Sequence, residues 1–205
     1  QPIGLVVDVP MTLVGKPGLP ARTISELREW VAANRGRITI AHAGLGASSQ
    51  LCALLVMRAL GDNFTQVSYT GTARALSDVA GGHVDLLCDQ VTNAAAQISG
   101  GQVRGFFVSS DERLPVLPDV PTMREIGLAD AAVVVWHGLY APAATPPDMV
   151  ARLSNALQAV LRSDSVRARL AEIGASPVPA SDATPEALRD LSLIHISEPT
   201  RPRLI

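Results

Sequence analysis

The sequence predicts an α/β fold in which a parallel sheet is covered by helices on both faces. Three observations carry that prediction. Strand and helix signals alternate three times between residues 38 and 98, each time through a short polar or glycine-bearing junction. Two of the helices run into double-glycine stops, Gly81-Gly82 and Gly100-Gly101. The stretch at 38–60, ITIAHAGLGASSQLCALLVMRAL, reads as a buried strand, a glycine turn and a helix apolar almost all round, which must pack on more than one side. At 47% hydrophobic, the 205-residue chain has ample material for such a core.

Taken in order, residues 3–16 read as apolar extended chain, closed by a turn at Lys16-Pro17-Gly18. Thr23-Ile24-Ser25-Glu26 is a capping box, with Thr23 capping and Glu26 reaching back. Ile24, Leu27, Trp30 and Val31 then make one apolar helical face, ended by Gly36. After the strand at 38–43, Gly44-Leu45-Gly46-Ala47 turns, Ser48 or Ser49 caps, and a helix covers 51–60. Further strands are expected at 66–69, 84–88 and 104–109, and helices at 73–80 and 92–98. Residues 114–121 read as a rigid proline loop and 122–127 as one or two helical turns. Residues 131–142 read as a long apolar strand. Thr145-Pro146-Pro147-Asp148 starts a helix with Thr145 as its cap, and Met149, Val150, Leu153, Leu157, Val160 and Leu161 form its apolar stripe. A last helix at 165–173 stops at Gly174.

A net charge of −2 and the lack of a basic cluster interleaved with aromatics argue against nucleic acid as a partner. No apolar run approaches the length of a membrane span. Cys52 and Cys88 fall on a buried helix and a buried strand, where they read as small hydrophobes, with a mutual disulfide as the second alternative. Neither cysteine nor any histidine shows metal-ligand spacing. The 44–50 turn is neither a Walker loop nor a dinucleotide fingerprint, so no cofactor is expected.

What the turn does suggest is an anion site. A strand, a glycine turn and a helix start aim several unpaired N–H groups at one point, where the helix dipole also favours negative charge. In parallel sheets ligands gather beyond the carboxyl ends of the strands. Residues 44–50, 69–72 and Asp89-Gln90 would share that rim, which predicts a small-molecule site. Asp89 reads either as a cap for the next helix near Thr92 or as a group that orients a water, a hydroxyl or an ammonium. Tyr69 reads equally as an amphipathic residue with its hydroxyl at the surface. A hydrolase would need Cys52 or Ser48 as nucleophile, His42 or His137 as base and Asp89 as orienter. Burial of Cys52 in an apolar helix speaks against that arrangement, and the chain is expected not to be an enzyme.

Several segments together resemble the solute receptors of tripartite tricarboxylate transporters, the Bug-type receptor family. They are Gly44-x-Gly46 followed by Ser48, Tyr69-Thr70-Gly71 before Ala75-Leu76-x-Asp78, and Gly81-Gly82-x-Val84-Asp85-Leu86. Leu117-Pro118-Asp119-Val120-Pro121-Thr122, Trp136-x-Gly138-Leu139-x-Ala141-Pro142 and Thr145-Pro146-Pro147 complete the set. The resemblance implies a periplasmic-binding-protein-like fold of two α/β lobes, here one complete lobe plus hinge strands and part of the other lobe. Residues 1–16 would be a hinge strand with a remnant of the first lobe, and 17–130 the second lobe. Residues 131–142 would be the returning hinge strand, and 143–190 the C-terminal helices of the first lobe.

It further implies a periplasmic receptor that captures a small carboxylate between its lobes and delivers it to the permease subunits of a membrane transporter. The signal peptide would belong to the upstream part. The implied ligand-binding set is Gly44, Gly46, Ala47, Ser48, Ser49, Gln50, Tyr69, Gly71 and Asp89, much of it acting through backbone N–H groups. Ala47, Gln50 and Leu45 depart from the family's usual residues, so the backbone donors carry over and the side-chain contacts do not. With much of the first lobe outside the chain, binding by this fragment is expected to be weak. The effector-sensing domain of a transcription regulator, which shares the two-lobed plan, is the alternative. Residues 191–205, LSLIHISEPTRPRLI, do not continue the family pattern and resemble a reading frame of sequencing-adapter DNA, so they are read as a non-native tail.

Overall fold

The computed structural model describes residues 1–129 and 132–197, apart from the side chains of 193–197. The boundary expected at 130/131 and the last eight residues of the expected tail lie outside these. The chain divides into two compact units, one of residues 9–135 with 171–175 and the other of residues 1–8, 136–170 and 176–205.

The larger unit is built on the expected α/β alternation. β1 (Pro2–Gly15) supplies its second half to this unit. It is followed by α1 (Ile24–Ala33), β2 (Thr39–His42), α2 (Ser48–Leu60), β3 (Thr65–Ser68), α3 (Thr72–Ala80), β4 (Leu86–Gln90), α4 (Val91–Ser99) and β5 (Arg104–Val108). β2 pairs in parallel with β3 and with β4. Strand alternation sends Leu86 and Cys88 to one face and Leu87 to the other. The first face packs on Leu27 and Val31 of α1 and on Ala53, Val56 and Met57 of α2. The second packs on Ala75, Leu76 and Val79 of α3 and on Ala94 of α4.

The sheet is not wholly parallel. Its order is β3-β2-β4-β1-β5, with β1 antiparallel to both β4 and β5. β1 can take this central place because both of its faces are apolar: Met11 and Leu13 enter one core and Val14 the other. Thr12 is fully buried there and donates its hydroxyl to the Phe107 carbonyl at 2.7 Å. The capping box at Thr23 and Glu26 forms as the sequence indicates. The segment 122–127 forms hydrogen-bonded turns instead of a helix, joined to β5 by a parallel bridge between Val108 and Thr122.

Cys52 and Cys88 form a disulfide, 5.9 Å between their Cα atoms, which ties α2 to β4. They are therefore not the free small hydrophobes that the sequence favours: the α2–β4 packing brings together two residues 36 apart in the chain.

At the amino end of β4, Asp85 is held on all sides. Lys16 Nζ lies 2.7 Å from Oδ1, and the Thr39 N–H and hydroxyl donate to Oδ2 at 2.8 and 2.7 Å. Burial alone would push this carboxyl up, but the bonds from Lys16 and Thr39 outweigh it and hold it below the usual aspartate range.

The smaller unit contains the first half of β1, joined by β6 (Val134–Tyr140) and β7 (Ser176–Pro177). It also contains α5 (Pro147–Leu161), most of α6 (Asp164–Glu172) and α7 (Pro185–Ser197). Leu5, Leu161, Val178, Ala183, Leu188 and Leu191 form its core. Pro146, not Thr145, occupies the cap of α5, without a side-chain bond, and Pro147 takes the first helical position, where its missing N–H would have no partner anyway. Only part of the expected stripe is covered: Leu161 is buried, whereas Met149, Leu153 and Val160 are exposed. Residues 171–175, expected with the C-terminal helices of the first lobe, group with the larger unit, where Ala175 is buried and Gly174 lies against Val91.

Two outcomes follow from this fold. Replacing both Cys52 and Cys88 by serine is expected to cost about 3–4 kcal/mol in urea denaturation, the value for a loop of this length. Asp85→Asn is expected to destabilise the protein at pH 7. A carboxyl depressed in the folded state stabilises above its unfolded pKa, and that contribution is lost as pH falls through the folded one. The gap between parent and variant should therefore close well below about pH 4.

Candidate functional site

The parallel pairing of β3, β2 and β4 brings three carboxyl ends to one edge, and a helix starts at each. None of these three starts is capped by a side chain: the caps are Ala47 for α2, Gly71 for α3 and Gln90 for α4. α1, by contrast, has its complete capping box. The rim is where this unit leaves peptide donors uncovered.

The turn before α2 follows from its glycines. Gly44 has φ +117° and Gly46 φ +77°, a region that side chains with a Cβ rarely enter. Leu45 between them points outwards, 89% exposed. Ser49 is buried and does not cap; its hydroxyl accepts the Ala43 N–H at 2.9 Å, bolting the helix to the end of β2. Gln50 folds back so that Oε1 accepts the Gly46 N–H at 2.7 Å, while Nε2 donates to Gln66 Oε1 at 3.3 Å. The Ala47 N–H bonds the Gly44 carbonyl at 3.3 Å. His42 is buried, with Nδ1 beside the Gly44 N–H (3.1 Å) and the Gly44 carbonyl (3.0 Å).

These bonds redistribute the roles read from the sequence. Among the described residues, the Gly46 and Ala47 donors are taken by the turn itself, and the Gln50 amide and Ser49 hydroxyl are braces. The N–H groups of Ser48 and Ser49 make none of the turn and cap hydrogen bonds, nor do those of Thr72 and Ala73 at the start of α3. Gly71 is extended, with open space where a Cβ would stand. The Tyr69 hydroxyl donates to Asp78 Oδ2 at 2.7 Å, and its N–H bonds the His42 carbonyl. Burial, and then the bond to Asp78, raise the Tyr69 pKa, so the ring stays neutral.

Asp89 is 2% exposed. Its Oδ1 accepts the Gln90 N–H at 2.7 Å and the Asn93 amide at 3.0 Å, and Asn93 reaches on to the Thr72 hydroxyl at 3.3 Å. Oδ2 is buried without a hydrogen-bond partner. Burial pushes this carboxyl above its usual range, against the pull of Asn93, the Gln90 N–H and the nearby Thr72 hydroxyl. Asn93 was not singled out by the sequence; its place four residues after Asp89, at a helix start, is the signal that could have found it. Cys52, bound in the disulfide, has no thiol to act as a nucleophile.

An α/β sheet with helix starts gathered at the carboxyl edge of its parallel strands is the periplasmic-binding-protein-like plan, and comparison with known proteins agrees. The chain belongs to the tripartite tricarboxylate transporter family receptor (TctC) family, whose pattern matches residues 1–188. A UPF0065 protein of Agrobacterium vitis is 42% identical over 186 residues, 91% of this chain and 54% of the relative. The periplasmic binding protein BugD superposes with a TM-score of 0.88 at 43% identity, covering 95% of this chain and 65% of its own. MatC from Rhodopseudomonas palustris with bound malate superposes with a TM-score of 0.86 at 36% identity, covering 96% of this chain and 67% of its own. The chain thus spans only about half the length of the Agrobacterium relative.

Gly46→Ala tests the turn. Its added methyl would meet nothing within 4 Å, so the expected loss of about 1–2 kcal/mol in denaturation is purely conformational.

Proposed function

We propose that this chain is part of a periplasmic solute receptor that takes a small carboxylate at the β2–β3–β4 rim and hands it to a membrane transporter. The observation that carries the reading is the pair of uncapped starts of α2 and α3, with the N–H groups of Ser48, Ser49, Thr72 and Ala73 unused by the protein. Unpaired donors at the positive ends of two helix dipoles suit an anion. Of the candidates, Ser48, Ser49 and Gly71 lie at these starts. Gly44, Gly46, Ala47 and Gln50 shape the turn, while Tyr69 and Asp89 line the neighbouring junctions. The malate bound by MatC supports a carboxylate as the anion. The disulfide suits an oxidising compartment such as the periplasm. Binding without turnover is the expected activity.

Titration of the isotopically labelled chain with L-malate, followed by amide NMR, tests this. Shifts concentrated at Ser48, Ser49 and 71–73 are expected, with roughly millimolar affinity (about −4 kcal/mol). No shifts, or shifts only elsewhere, would overturn the reading, and micromolar affinity would contradict the weak binding expected of a chain of this length.

A further inference from the structure

Two aspartates four residues apart, Asp85 just before β4 and Asp89 within it, are treated oppositely by the structure. Asp85 has a lysine on one oxygen and two Thr39 donors on the other. Asp89, more deeply buried, has donors on Oδ1 alone, and Oδ2 is enclosed with nothing to bond. A buried carboxylate oxygen without a donor is costly, and the cost is relieved when the group accepts a proton.

Beyond these bonds, the pull of the Thr72 hydroxyl and the neighbouring helix starts, the surroundings offer no counter-charge. From β1, the uncharged Thr12 stands opposite Asp89. From α3 comes Thr72; the charged residues of that helix, Arg74 and Asp78, are not among the groups that act on Asp89, and Asp78 is engaged by Tyr69. α4 has no titratable residue along its length. His42 at the end of β2 shares the strand parity of Ile40, which faces the α1/α2 side, whereas Asp89 shares that of Leu87, on the α3/α4 side. Asp89 thus sits beside the starts of α3 and α4 with no cation among the described residues to balance it. As a carboxylate it repels the anion that those helix ends would otherwise attract.

We propose that anion capture at this rim is coupled to uptake of one proton by Asp89. The inference rests on the rim being the carboxylate site. The coupling is reciprocal: the proton strengthens anion binding, and a bound anion makes Asp89 hold its proton to higher pH. The direction in which burial already pushes this carboxyl agrees.

The test is a pH titration of the Asp89 side-chain carbon by NMR in the full chain, without ligand and with saturating L-malate, alongside malate affinity against pH for the parent and Asp89→Asn. Asp89 is expected to titrate above Asp85, with a midpoint that rises further with malate. Between the two midpoints the parent's affinity should fall roughly tenfold per pH unit beyond any change seen in Asp89→Asn, which keeps an isosteric but non-titrating group. Rim amide shifts with an unmoved Asp89 midpoint would overturn the coupling and leave the receptor reading standing. Absence of malate-induced shifts at the rim would sink both. The carbon titration of the parent decides the matter even if Asp89→Asn does not fold.

Discussion

The first turn of every α-helix has N–H groups with no partner inside the helix. A fold must cover them with side chains, give them to water or reserve them for a ligand. This protein covers those of α1 with the Thr23–Glu26 box. It leaves the starts of α2, α3 and α4 without side-chain caps, and parallel pairing gathers all three on one edge of the sheet. The rest of the larger unit holds that edge in place: Ser49 bolts α2 to β2, Gln50 closes the glycine turn, and the disulfide fixes α2 to β4.

The side chains of Ser49 and Gln50 brace the turn, and in the proposed function the backbone meets the ligand. This division explains how Ala47 and Gln50 can stand where the resemblance leads one to expect other residues. An alanine at the cap offers no side-chain oxygen to compete for the Ser49 N–H, and a glutamine bent onto Gly46 steadies the turn whatever binds beside it. Asp89 is the exception, a titratable group set among neutral neighbours beside the starts of α3 and α4.

Local chemistry made much of this legible in the sequence. The capping box, the turn glycines and the βα alternation each depend on residues within a few positions, and each formed. Tertiary pairing was less legible. β1 reads as a buried strand, but nothing near it in sequence announces that it lies antiparallel between β4 and β5. The disulfide joins residues 36 apart through helix–sheet packing that no spacing encodes. At the glycine turn, the sequence offered Ser48 or Ser49 as the helix cap, whereas Ala47 holds that position and the helix starts at Ser48. Whether Ser49 capped or bolted depended on where the Ala43 N–H pointed, and the bare Oδ2 of Asp89 is a matter of enclosure rather than of residue type.

The most direct test of the account is to locate an anion. Crystals of the chain grown with selenate, examined by anomalous scattering, are expected to show a selenate ion whose oxygens accept hydrogen bonds from the Ser48 and Ser49 N–H groups. Selenate bound elsewhere while these amides face only solvent or a protein acceptor would contradict it.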